Sequence, residues 1–274
     1  MDPLEALASQ SFCRVADAQV SRGNQVRLLR DGPMTFAAWL EAIGNARREV
    51  HLENYILQDD GTGGEFAAAL IAAVKRGARA QVIYDWLGCV RRTPAKFWRQ
   101  LSDGGVEVRC YNSFQIVNPL RWISRDHRKV LCVDGEVAFT GGLCIGHDWV
   151  GDPAHGIPPW RDTAIEIRGP AVAHINAAFD DSWEAAGKTI HHGQALPRSE
   201  TGEGGVELSV IAGRPDGMGL YRLEQLVAEI AQRSLWLTDG YFVATTAYVR
   251  ALANAAGQEV TYTCLPPGWG RRRH

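Results

Sequence analysis

Three polar side chains stand at fixed intervals in this 274-residue sequence: His127, Lys129 two residues on, and Asp134 five further, with Gly141-Gly142 seven residues beyond. An imidazole beside a fixed ammonium suits attack on phosphate, because the imidazole is the nucleophile and the ammonium holds a phosphate oxygen. Lys129 is one of only four lysines among 29 Lys plus Arg, which argues against surface filler. A basic strand end with a satisfied histidine reads equally well from the triplet alone.

The flanking residues supply the elements that must position these groups. Val130, Leu131, Cys132 and Val133 form an apolar run, as expected of a strand buried on both faces. Residues two apart on a strand share a side, so His127 and Lys129 project together while Arg128 points away. A second strand, Val137 to Thr140, ends in the Gly-Gly pair.

The stretch RDHRKVLCVDGEVAFTGGLCIG, 125 to 146, resembles the phospholipase D superfamily, whose signature is His-x-Lys-x4-Asp followed by Gly-Gly or Gly-Ser, one residue, and Asn. It looks like the first such motif of bacterial cardiolipin synthases. The resemblance implies His127 as nucleophile forming a phosphohistidine, Lys129 as charge stabiliser, and Asp162, in the WRD segment, as the carboxylate that orients His127. Alternatively Asp162 pairs with Arg161 or Arg168. Asp134 reads as a structural partner near the strand end rather than a proton carrier. Gly141 and Gly142 border the substrate, while Cys144 stands where the family has Asn and offers only a weak donor. Glu53, a carboxylate among apolar neighbours, either faces the site or caps a strand edge, and the resemblance favours the site. Arg121 and Arg125 either hold anionic substrate or are simply solvated. No metal or cofactor is implied, because lysine supplies the cation.

Composition is that of a globular protein, with 46% hydrophobic and 22% charged residues and a formal charge of -2. That charge gives no global attraction to nucleic acid or anionic lipid. Six cysteines show no paired spacing, so a zinc site from Cys132, Cys144, His127 and His147 is disfavoured, and the adjacent His191-His192 reads as plain linker. No window approaches 18 uninterrupted apolar residues, and the first thirty lack a signal pattern. The expectation is a cytoplasmic chain, peripheral at the inner membrane.

Taken in order, the chain alternates strands near 26–29, 50–57, 80–84 and 106–111 with helices near 36–48, 66–76 and 95–102. Gly32-Pro33 reads as a break and 59–64 as a turn, and after the motif come a Gly- and Pro-rich loop at 149–161, a strand at 164–168 and a helix to about 186. This predicts an α/β fold with a mixed, largely parallel sheet flanked by helices. From 206 the pattern restarts: RSLWLTDGYF at 233–242 matches RREVHLENYI at 47–56, an internal duplication. The expected organisation is a lead-in at 1–23, a complete half at 24–188, a linker at 189–205, a partial second half at 206–264 and a Pro/Gly/Arg tail at 265–274. With one His-x-Lys in the sequence, the expectation is a truncated or frame-shifted two-motif enzyme. Three readings follow: a lipid phosphatidyltransferase or phospholipase acting on phosphatidylglycerol, a homodimeric phosphodiesterase or nuclease, and an inactive lipid-binding remnant. Acidic net charge and few lysines disfavour nucleic acid as partner.

Overall fold

The computed structural model describes residues 11–16, 18–112, 125–187, 204–213, 219–238, 245–256 and 261–265. Arg121, His191-His192, part of the expected lead-in and most of the expected linker and tail lie outside the described residues. The chain divides into two compact units, residues 20–210 and residues 1–19 with 211–274.

The first unit is built on an eight-stranded sheet of order β4-β3-β2-β5-β6-β7-β1-β8. Its strands are β1 (Val20–Arg30), β2 (Glu49–Asn54), β3 (Arg79–Asp85), β4 (Glu107–Tyr111), β5 (Lys129–Val133), β6 (Val137–Gly141), β7 (Thr163–Arg168) and β8 (Val206–Ser209). Helices α1 (Asp31–Asn45), α2 (Gly61–Lys75), the short α3 (Trp86–Cys89), α4 (Ala95–Asp103) and α5 (Ala171–Ala186) flank it.

The α/β architecture and mixed sheet are those expected, but the pairing sense is corrected. Only β2–β3 and β3–β4, joined through helices, are parallel. The β2–β5, β5–β6, β6–β7, β7–β1 and β1–β8 pairs are antiparallel. The cause is local. Asp134 and Gly135 both take positive φ, 56° and 65°, so the Asp-Gly dipeptide turns β5 back on β6 as a tight hairpin with no helix to cross over.

Two helix starts also move. Gly32-Pro33 lies inside the first turn of α1, where a missing N–H breaks no helical bond. α2 starts at Gly61 because Asp60 caps it, its Oδ1 accepting from the Gly63 N–H at 2.8 Å.

Each face of the sheet is covered. Val50, Leu52, Leu131, Val133 and Phe139 pack under α1, α2 and α4, with Phe36, Trp39 and Phe66 in edge-on or tilted aromatic contact. On the other face Val130, Cys132, Ala138 and Ile167 meet Val172 and Ile175 of α5. β2 and β5 therefore sit centrally, buried on both sides, and their ends carry the polar groups.

The second unit contains α6 (Gly219–Ile230), β9 (Ser234–Thr238), α7 (Thr246–Ala256) and β10 (Thr261–Leu265). β9 and β10 pair in parallel across α7, the same strand-helix-strand arrangement as β2-α2-β3.

Candidate active site

Lys129 opens β5, and its first-turn neighbours diverge as strand alternation requires. Arg128 turns into α5, where its Nη1 donates to the Ala178 carbonyl at 2.8 Å and the Ser182 hydroxyl at 2.7 Å. Lys129 takes the other face, is 4% exposed, and donates from Nζ to the carbonyl oxygen of His127 at 2.5 Å.

Tyr55 joins the two motif residues. Its ring centroid lies 4.5 Å from that of His127, inclined by 51°, and the Lys129 ammonium stands 5.1 Å from the same ring. His127 itself is exposed. Desolvation and then the Lys129 charge hold its imidazole below the ordinary value, so the neutral form is favoured. Burial lowers Lys129 too, while Cys144, Asp126, Asp162 and Asp85 pull it back up.

The residue before His127 is anchored from two sides. Asp85, fully buried at the end of β3, accepts the Asp126 N–H at 3.0 Å, caps α3 through Leu87 and Gly88, and pairs with Arg125 at 3.5 Å. Arg125 thus already has a carboxylate partner. Glu53 and the Asp126 side chain meet under the motif, on the α5 side of the sheet. Burial, then the adjacent Asp126 charge, pushes Glu53 well above the usual carboxylate range, and burial raises Asp126 as well. Neither Glu53 oxygen nor Asp126 Oδ2 makes a hydrogen bond, and the burial that raises both carboxyls favours a protonated form of the pair. Glu53 faces a cation, Arg128 at 3.9 Å, on the opposite face from Lys129.

The glycine pair has a steric purpose. A Cβ at Gly141 would meet the Thr163 carbonyl at 2.6 Å, and one at Gly142 would meet Asp162 Oδ1 at 2.4 Å. The pair lets the end of β6 close on the start of β7 and leaves room for the Asp162 carboxylate. Asp162 accepts from Trp149 Nε1 at 3.4 Å and from its neighbour Thr163 N–H at 2.7 Å. Among the described residues no hydrogen bond joins it to His127. Gly32 plays a matching part, since a Cβ there would strike the Trp149 carbonyl at 2.0 Å.

Asp134 sits at the far end of β5, roughly 16 Å from Lys129 at ~3.3 Å per residue. Its carboxylate accepts the backbone N–H groups of Arg47, Arg48 and Glu49 at 2.9, 2.7 and 2.8 Å. The structure therefore brings together His127, Lys129, Asp162, Cys144 and the glycines, and places Asp134 and Glu53 in supporting positions. Cys144 is buried, its thiol raised by desolvation. Among the described residues no three His, Cys, Asp or Glu side chains converge as a metal site.

Sequence reasoning passed over Tyr55, Asp85 and Asp126. Asp85 carried a signal: an Asp closing an apolar strand just before a helix is a cap. Tyr55 carried none, because its contacts come from the long-range pairing of β2 with β5.

Comparison with known proteins agrees with this geometry. The family described as "Cardiolipin synthase, PLD-like domain" matches residues 39–148, which hold the motif and the glycine pair but not Asp162. The cardiolipin synthase of Geobacillus sp. (strain WCH70) is 32% identical over 262 residues, covering 93% of this chain and 51% of that protein. Cardiolipin synthase A of Pseudomonas aeruginosa is 30% identical, covering 94% and 52%. The chain thus spans about half the length of the curated relatives it matches. In fold it is similar to the phosphatidylserine synthase of Haemophilus influenzae Rd KW20, with a TM-score of 0.67 at 12% identity over 97% of this chain and 69% of that one. Sequence similarity, the His-x-Lys pair at the head of β5 and the sheet around it together make this chain a member of the phospholipase D superfamily, similar to the cardiolipin synthases.

Proposed function

We propose that this chain supplies the nucleophilic half of a phosphatidyltransferase site of cardiolipin synthase type. The observation that carries the reading is the shared seat of His127 and Lys129 on Tyr55, which pairs a solvent-facing imidazole of lowered basicity with a confined ammonium.

In the proposed reaction His127 attacks the phosphorus of a phospholipid phosphodiester. An N–P bond forms, the P–O bond to the leaving alcohol breaks, and that alcohol takes up a proton. Lys129 turns from the His127 carbonyl to a non-bridging phosphoryl oxygen, where it offsets the charge that builds on the five-coordinate phosphorus. A second alcohol then attacks the phosphohistidine, giving up its proton and restoring the imidazole. With phosphatidylglycerol as donor and acceptor the products are cardiolipin and glycerol, and with water the lipid product is phosphatidic acid. Asp162 lies on the Lys129 side and holds the ammonium charged. The resemblance implies a second histidine as proton donor to the leaving alcohol. The 274 residues hold one His-x-Lys, so that donor comes from a second copy or a further segment.

No helix among the described residues is long and apolar enough to cross a membrane. The proposal is therefore contact with phospholipid at a bilayer surface. Exposed Leu87 of α3, Val90 just after it, and Ile157 and Trp160 between β6 and β7 support it.

The test is incubation of the chain with phosphatidylglycerol vesicles, acid-free digestion and mass spectrometry for a phosphatidyl adduct. An adduct on His127, absent from His127→Ala, is the expected result. Turnover that persists in His127→Ala removes the proposal.

A further inference from the structure

Asn54 is the last residue of β2 and is wholly buried, yet neither its Oδ1 nor its Nδ2 has a hydrogen-bond partner. Buried amides are nearly always satisfied, and one that is not calls for an explanation. Its register provides one. Asn54 is the direct cross-strand neighbour of Lys129, and residues paired across an antiparallel ladder share a face with Cβ atoms about 5 Å apart. That is the face of Lys129 and Tyr55, opposite the face that Glu53 and Arg128 occupy. Lys129 is itself only 4% exposed, so a phosphoryl oxygen that reaches its ammonium comes onto the same buried face of the sheet as Asn54.

The segment after the glycine pair runs beside the residues that follow β2. The Ile145 N–H donates to the Ile56 carbonyl at 3.1 Å, and Gln58 N–H returns to the Ile145 carbonyl at 2.9 Å. This lays Cys144 against the end of β2. A thiol there donates weakly; the Gln58 amide nearby is already engaged with Asp148, whereas that of Asn54 has no partner.

We infer that Asn54 is a further anion-binding residue of this site, its amide held unpaired on the Lys129 face to donate to a phosphoryl oxygen when substrate arrives. The inference rests on the reading of His127 and Lys129 as a phosphoryl site. It has an unusual energetic signature. An orphaned amide costs stability in the empty protein, so its replacement by an apolar side chain of like shape relieves the fold while weakening the ligand. A structural amide gives the reverse in the first respect.

The experiment measures melting temperature and calorimetric affinity for inorganic phosphate on the full chain, for wild type, Asn54→Leu, Asn54→Ala and Lys129→Met. Expected for Asn54→Leu is a higher melting temperature together with about tenfold weaker phosphate binding, the loss of one hydrogen bond to a charged group. Asn54→Ala, which leaves a gap, keeps the weaker binding without the gain in melting temperature. Phosphate affinity equal to wild type in both Asn54 variants overturns the inference. So does a fall in melting temperature for Asn54→Leu as large as for Asn54→Ala, because the amide is then satisfied in the empty protein. If Lys129→Met also binds phosphate like wild type, it is the underlying site reading that fails. If Lys129→Met loses binding and the Asn54 variants do not, only the assignment to Asn54 fails.

Discussion

Asp85 accepts the backbone N–H of Asp126 at 3.0 Å with one carboxylate oxygen and caps the start of α3 with the other. One buried side chain thereby fixes the residue before His127 relative to the end of β3. Its loss frees the loop that presents the nucleophile. Displacement of a reacting group by about 1 Å costs on the order of a hundredfold in rate. Asp85→Ala is therefore expected to slow phosphatidyl transfer by about that factor, measured below the variant's own melting transition. A rate within twofold of wild type in the folded variant removes this positioning role.

The two glycines of the motif are not equivalent. At Gly141 a methyl group meets backbone, the Thr163 carbonyl at 2.6 Å and Ala164 Cα at 2.7 Å. At Gly142 the three nearest atoms all belong to the Asp162 carboxylate, whose side chain can turn aside. Forcing strands apart costs about 1–3 kcal/mol. Gly141→Ala should fall in that range by urea denaturation. Gly142→Ala should be the milder change in stability but should disturb the Trp149 hydrogen bond to Asp162, visible in tryptophan fluorescence. Equal losses from both would contradict this account.

Much of the site was legible because its chemistry is local. His127, Lys129 and the glycine pair fall within sixteen residues, and strand alternation orients the first two. The sense of the sheet was misread for an equally local reason. Asp134-Gly135 between two apolar strands is a hairpin signal, and giving it full weight would have predicted the β5–β6 antiparallel pair. Residues that meet only through the register of β2 on β5, such as Tyr55 with His127 and Asn54 with Lys129, leave no trace in one sequence. Asp162 was placed by resemblance, and its hydrogen bonds run to Trp149 and Thr163.

Asp134 belongs to the fold. Its carboxylate gathers three backbone N–H groups at the start of β2, each without another acceptor of comparable charge. Removing it leaves those donors without their charged acceptor in a partly buried turn, at about 3 kcal/mol in total. Asp134→Ala should lose that much stability in chemical denaturation while the folded fraction keeps its turnover rate. A folded variant with no activity would return Asp134 to the chemistry.

His51 makes the first unit sensitive to acid. Its ring is buried, stacked 4.5 Å from Phe179, with Nδ1 2.8 Å from Asn176 Oδ1. Burial lowers its folded pKa below the ordinary imidazole value. The unfolded chain then binds more protons in the interval between the two values. Its contribution to stability is full above an unfolded pKa of about 6.5 and is lost as pH falls from there towards the folded value. Glu53 and Asp126, raised by burial, act in the opposite sense because the folded chain holds their protons. The His51 contribution is therefore read as a difference: urea midpoints of wild type should lose more with acid than those of His51→Phe, which keeps the stacking although Asn176 loses its partner. Because His127 is lowered as well, some slope remains. An unchanged slope would assign the acid sensitivity elsewhere.

The pH dependence of the chemical step follows from the same reasoning applied to the motif. Nucleophilic attack needs His127 neutral, and desolvation with the Lys129 charge lowers its pKa. The acid limb of the rate for adduct formation should therefore have its midpoint below the ordinary value of about 6.5. Lys129 must stay protonated, and burial lowers it too, so the alkaline limb should fall below the ordinary lysine value of about 10.4. Removing the ammonium in Lys129→Met should shift the acid limb upward, because a cation that opposed protonation of His127 is gone, while the rate itself collapses for want of charge stabilisation. Rapid-quench measurement of the phosphatidyl adduct across pH reads both limbs at once. An acid midpoint that does not move in Lys129→Met would mean that the two side chains act independently, and the paired site seated on Tyr55 would no longer explain the reaction.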